Sequence, residues 1–442
     1  MTPQPYLNSE TDSFANDSLL RRWPSIVNSL LEAFENAKSS ASSPEAVKEA
    51  ETIVGQIKGL LKELEIAGEI KPIPEGTDKD IAVYNEYLKR SPGLTWKQAP
   101  WLFSECHMYR TLQTYFESTR HWKHYDMFAS AKDETFYKSA DAVGTLAERY
   151  LQLSSELAEK PVDTEALRIL FDEFMKSSLW GNATDLSLLV TISLDDIKAL
   201  QVAAHHREGD TLLVNDQAQV WKRMTSASGG RVDIVLDNAG FEFYTDLIFA
   251  LFMLDTGLAE QIVFHPKSIP WFVSDVTLRD WQQFVPLLLN GKLFPSNRKA
   301  IEAVVARVAH YEGQIVFRPS TFWTSYCSFS EINSNGANGG AQVWSDLRSS
   351  KLVFFKGDLN YRKLTGDYRW PRETPFVEAL GDLDYNNINL VTLRTIKSDV
   401  CVGLPPNKEQ ELKKLWAEKR PDQNSNGWSW SGKYAVISYA GK

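Results

Sequence analysis

Between Thr211 and Tyr439 short apolar runs alternate with helix-like segments, and that alternation leaves few folds open. The runs are 211–214, 232–236, 261–265, 314–317, 351–355, 388–393 and 434–439, separated by helical stretches such as 300–309. The run 232–236 is almost wholly apolar, without polar alternation, as expected of a strand buried on both faces in a sheet covered by helices. Strand–helix–strand repetition is how a parallel sheet is connected. The expectation is therefore an α/β domain with a mostly parallel sheet over residues 206–442.

Residues 1–205 read differently. Ser43 and Pro44 open a segment in which Val47, Ala50, Val54, Ile57, Leu61 and Leu64 recur at alternating spacings of three and four. That spacing places one apolar stripe on a helix, which Gly68 then stops. After a proline-containing linker, 71–76, further helical stretches follow at 81–88, 102–117, 140–157 and 165–177, and no strand is expected before Thr211. The first half is expected to form an all-helical domain. The two Asn-Gly pairs in 334–340 mark a loop, read as plain surface or as a lid.

Bulk properties exclude several classes. A net charge of −9 argues against a non-specific nucleic-acid or anionic-membrane surface. The longest apolar run, 247–254, is too short to span a bilayer, and the amino end lacks the basic-then-apolar layout of a secretory leader. The three cysteines, Cys106, Cys327 and Cys401, form no paired motif. A reducing compartment, cytoplasmic or nuclear, is expected.

Chemistry concentrates at strand ends. The strand 232–236 runs into Asp237-Asn238-Ala239-Gly240 and at once into an apolar helix, with Phe241, Tyr244, Ile248, Leu251 and Phe252 on one face. An acid and an amide there can hold a cation, or the tetrapeptide is a turn with a helix cap. Asp275, in the loop beyond 261–265, is either a third oxygen donor or another cap. Asp237, Asn238 and Asp275 together would offer the hard oxygens that suit a six-coordinate divalent ion. In KLVFFKGDLNYRK, Asp358, Asn360 and Arg362 can face a polyhydroxylated, phosphorylated ligand, or Asp358 and Arg362 form a helical ion pair. Arg394 and Lys397 would point to opposite faces of a continuing strand, so Lys397 is taken as the ligand group and Arg394 as scaffold. His205-His206 reads as loop rather than zinc site, and no Walker-type loop or nucleophile elbow is present. Tryptophans such as Trp96, Trp101, Trp180 and Trp323 read as core.

Taken together, VLDNAGFE, HPKSIPWFVSDV, FFKGDLNYRKL and LRTIK resemble the metal-dependent damage-control phosphatases of the Arg-Thr-x-Lys subfamily. PWLFSECHMYR and SLWGNATDLSLL extend the resemblance into the helical half, with His107 standing where an aromatic such as Tyr is expected. The resemblance implies a helical domain packed on a Rossmann-like α/β/α domain, with the active site between them. It implies Asp237, Asn238 and Asp275 as metal ligands, with Mn²⁺, Co²⁺, Ni²⁺ or Mg²⁺ as cofactor. It assigns Asp358, Leu359, Asn360, Tyr361, Arg362 and Lys397 to a small phosphorylated metabolite, with fructose 1-phosphate and fructose 6-phosphate among family substrates. Glu242 would line the site, as proton acceptor or as complement to the helix dipole.

Two function classes compete on these residues. Metal-assisted in-line attack of water on a phosphomonoester uses every group named, with Lys397 neutralising phosphoryl charge. A covalent route through Asp237 would want a second acid where Ala239 stands. A relative is also described as an S-adenosylmethionine-dependent protein carboxyl methyltransferase. That donor usually rests on a glycine-rich turn, and Asp-Asn-Ala-Gly holds one glycine, so hydrolysis is the leading expectation.

Overall fold

Neighbouring strand residues alternate between two apolar cores: Leu352 and Phe354 enter one, Val353 and Phe355 the other. A strand apolar at every position needs this arrangement, because each face of the sheet must be covered. The structure, a computed structural model, describes residues 3–41, 43–74, 79–159, 164–181 and 211–442. Its strands are β1 (Leu212–Asn215), β2 (Arg231–Val235), β3 (Gln261–His265), β4 (Ile315–Phe317), β5 (Leu352–Lys356), β6 (Leu390–Thr395) and β7 (Ala435–Ala440). Each lies within two residues of the apolar run expected for it.

They form one seven-stranded sheet in the order β1-β7-β6-β5-β2-β3-β4. All neighbouring pairs are parallel except β6 with β7. The chain leaves β2 toward β3 on one side and later returns to β5 on the other. That reversal opens a crevice beyond the carboxyl ends of β2 and β5, where ligands bind in open α/β sheets.

Helices cover both faces. One core joins Trp23, Phe34, Ile57, Tyr109 and Phe116 of the amino-terminal helices to Val353, Phe355 and Val436 of the sheet. The other joins Phe136, Leu146, Phe171 and Phe174 to the helix Phe241–Asp255 and to residues of β2, β3 and β5. That last helix differs from the one-faced expectation, since every residue from Phe241 to Leu254 is buried. The reason is the helix Thr164–Trp180 on its outer side, where Phe171 meets Phe249 at 5.3 Å and Phe174 meets Phe252 at 4.6 Å. Trp96, Trp101 and Trp323 are buried, and Trp180 is half-buried. His205-His206, the expected division at 205/206 and most of SLWGNATDLSLL lie outside the described residues. No helix among the described residues is long and apolar enough to cross a membrane.

Candidate functional site

The ends of β2 and β3 are laced together by backbone. Val276 N donates to Asp237 O at 2.8 Å and Ala239 N to Ser274 O at 2.7 Å, so Asn238 and Asp275 pair as a short antiparallel bridge. Fixed geometry, rather than sequence distance, thus brings Asp275 beside Asp237-Asn238. Asn238 Nδ2 donates to Asp237 Oδ2 at 2.8 Å and to Glu242 Oε2 at 2.7 Å, while Ser274 Oγ donates to its Oδ1. The loop approaching Asp275 holds Phe272 at φ 44° and Val273 at φ 69°, conformations that cost about 1–3 kcal/mol each and cluster at functional sites.

β5 contributes Lys356 and then Gly357, whose φ is +82° and where a Cβ would collide with the Asp237 carboxylate. Glycine is needed there for both conformation and clearance. The run Gly357–Leu364 is helical, yet Asp358 and Arg362 do not pair with each other. Asp358 Oδ1 instead accepts from Arg394 Nε at 2.8 Å, Lys397 N at 2.9 Å and Ser398 Oγ at 3.0 Å. Arg362 meets Glu105 at 2.6 Å and Asp367 at 3.0 Å, and lies 3.6 Å over the Trp101 ring. β6 ends at Thr395, before Lys397, so Arg394 is fully buried against Asp358 while Lys397 reaches the crevice.

A cleft of about 360 Å³ occupies the crevice. Asp237, Asn238 and Asp275 reach its wall from β2 and β3, and Asp358, Leu359, Arg362 and Lys397 from β5 and β6. Glu242, Asn360 and Tyr361 stand behind that wall. Asn360 Nδ2 ties Lys356 O at 2.7 Å to Leu236 O at 3.2 Å, and the Tyr361 hydroxyl accepts from Val402 N at 3.0 Å. Asn360 therefore ties the ends of β5 and β2, and Tyr361 holds the segment that follows β6. The loop 334–340 takes no part in the cleft wall.

Carboxylates crowd one end of the site. Burial, then Glu242 and Asp275, push the Asp237 carboxyl well above its usual range. Burial likewise raises Asp275 to about 6, although Lys267 opposes it. Lys267 Nζ forms a buried ion pair with Asp275 Oδ2 at 3.1 Å and also donates to Leu236 O at 2.6 Å. Among the described residues the Lys267 ammonium is the one charged partner of Asp275 Oδ2. Two crowded carboxylates flanking an amide oxygen are hard donors, and they fit a small divalent cation that keeps open positions for water. Among the described residues no three His, Cys, Asp or Glu side chains gather so as to hold a metal ion by themselves. A set of two carboxylates and an amide would leave such positions free.

Sequence reasoning missed Lys267 and Lys356. Each is a charged residue at or just beyond the end of an apolar strand, and that misplaced charge was the available signal. It also missed Arg22 and Glu105, for which the sequence holds no signal, because their pairing joins residues far apart in the chain.

The damage-control phosphatase ARMT1-like domain family matches residues 18–412. The damage-control phosphatase ARMT1 of Danio rerio is 32% identical over 470 residues, covering 100% of this chain and 98% of that protein. The ARMT1 of Rattus norvegicus is 32% identical over 479 residues, covering 100% of both. A crystal structure of a DUF89 family protein from Pyrococcus horikoshii aligns at TM-score 0.38 and 14% identity, over 82% of this chain and 94% of that chain.

Proposed function

The chain belongs to the damage-control phosphatase ARMT1-like domain family, a family of phosphatases, and from that premise we propose a metal-dependent hydrolase of small phosphomonoesters. Sugar phosphates such as fructose 1-phosphate and fructose 6-phosphate are its proposed substrates, in a reducing cytoplasmic or nuclear compartment. The observation that carries the reading is the convergence of the crowded Asp237 and Asp275 carboxyls with Lys397 on one cleft wall. No ion pair or hydrogen bond of the Lys397 ammonium is found among the described residues.

Asp237, Asn238 and Asp275 would hold the cation. Bound there, Mn²⁺, Co²⁺, Ni²⁺ or Mg²⁺ supplies Lewis acidity toward phosphoryl oxygens and makes water a better nucleophile at neutral pH. Lys397 is a mobile point charge and offsets negative charge on the phosphoryl group as it is transferred. Asp358 Oδ1 grips the Lys397 backbone and Arg394, so this carboxylate aims Lys397 while its side chain also lines the cleft beside the substrate. Glu242, held by Asn238 and 3.4 Å from Lys356 Nζ, orients the amide from behind. Its proton-accepting role would require relay through Asn238 or water.

The test is phosphate release from a sugar-phosphate panel after metal stripping and add-back, without S-adenosylmethionine. Activity should vanish on chelation, return with divalent metal, and be absent in Asp275→Ala. Near-native turnover by Asp275→Ala, or labelled methyl groups appearing on protein carboxylates instead of phosphate release, would overturn the reading.

A further inference from the structure

Arg22 closes a π-helical turn, Ser18–Arg22, set between α-helical Phe14–Asp17 and Trp23–Lys38. Such turns occur mostly singly within α-helices and frequently at functional sites. Here the turn delivers Arg22 to the cleft wall with its side chain 36% exposed. Its Nη1 donates to Glu105 Oε1 at 2.6 Å, and the other oxygen of that buried carboxylate takes Arg362 Nη1 at 2.6 Å. A guanidinium has five N–H donors, and Glu105 is the one acceptor found for Arg22 among the described residues. Donors therefore remain for a ligand.

Beside Arg22, Phe14 and Trp430 stack at 5.8 Å and 19°, both half-buried on the same wall. The Arg22 guanidinium is 6.0 Å from the Phe14 ring. No hydrogen bond or ion pair among the described residues joins this group to Asp237, Asn238, Asp275 or Lys397. A phosphate seated among those four leaves the ester's carbon chain to run along the rest of the cleft. Flat rings beside a charged fork of N–H donors suit carbon chains bearing hydroxyl groups, the rings meeting C–H faces and the fork meeting oxygens.

We propose that Arg22 and the Phe14–Trp430 ring pair form a subsite reading the hydroxyl groups remote from the phosphate. Arg22 is then a specificity-determining residue that favours sugar-length esters over shorter ones. This rests on the phosphatase reading of the same site.

The experiment measures kcat and KM for fructose 6-phosphate and glycerol 3-phosphate with wild type, Arg22→Gln, Arg22→Lys and Trp430→Leu, all with one metal. The hexose preference in kcat/KM should fall about tenfold or more in Arg22→Gln, mainly through KM, as for a lost charged hydrogen bond. Arg22→Lys should recover part of it, and Trp430→Leu should shift it the same way. Equal losses on both esters in Arg22→Gln and Trp430→Leu, or a wild type without hexose preference, would overturn the subsite while the phosphatase reading stands. Release from neither ester with any of the four metals would overturn both. If Arg22→Gln fails to fold, an unchanged preference in Trp430→Leu overturns the subsite alone.

Discussion

Lys397 carries the proposed chemistry at the scale of one residue, and its placement depends on where β6 stops. Because the strand ends at Thr395, Lys397 escapes the strict alternation that would otherwise oppose it to Arg394. Its amide is bound by Asp358 while its ammonium has no partner among the described residues. Lys397→Ala should lower phosphate release by about 10² or more, if it behaves like other preorganised transition-state donors. Metal affinity should hold or rise slightly, since a repelling cation is gone. Lys397→Arg should restore part of the rate, because a planar fork does not fill the place of an ammonium. Kinetics and metal titration on the same variants check this, and a joint collapse of both would place Lys397 in the metal shell instead.

At the scale of elements, the site is a junction of strand ends with two helices. Lys356, the last residue of β5, donates to Ser178 O at 2.6 Å and Asp246 Oδ1 at 2.7 Å, with Glu242 Oε1 at 3.4 Å. One ammonium thereby pins the helices Thr164–Trp180 and Phe241–Asp255 to the sheet behind Asn238. Burial already raises Asp246 to about 6 against the pull of Lys356. Lys356→Met would leave Asp246 and Glu242 buried together without a cation, a loss of about 3–5 kcal/mol by analogy with broken buried pairs. Denaturant unfolding should show that drop, and a variant as stable as wild type would mean the helices are held by apolar contact alone. The expected strands were legible because buried strands are written as apolar runs. The cross-element ties were not, since a single lysine in a sequence does not name its partners.

Across the whole molecule, binding and stability should be linked, because the proposed ligand oxygens sit on two loops locked together only in the folded chain. A cation that binds the native state alone stabilises it, by about 2.7 kcal/mol at a concentration 100 times its Kd. Wild type should therefore melt higher with Mn²⁺ than after chelation. Asp237→Asn should lose that increment, yet the chelated variant should melt no lower than chelated wild type, since one of three crowding carboxylates is neutral. Differential scanning calorimetry of the four samples decides it. A full metal-dependent rise in Asp237→Asn would remove Asp237 from the ligand set.

The sequence by itself determined the element types and the parallel habit of the sheet, because burial on both faces dictates composition residue by residue. It also marked the strand ends where polar residues interrupt apolar runs, which is why Asp237, Asn238, Asp275 and Lys397 could be named as candidates. Tertiary structure decided which of those residues meet. The reversal between β2 and β5 set the crevice, the Asn238–Asp275 bridge closed two loops on each other, and Asp358 bound both Arg394 and the Lys397 amide at the cleft. It alone decided that the helix Phe241–Asp255 is covered on every side, and that Arg22 arrives from the far end of the chain. The physical reason is range: periodicity and capping act over a few residues, whereas ion pairs and cleft walls join residues whose proximity exists only after both cores have packed.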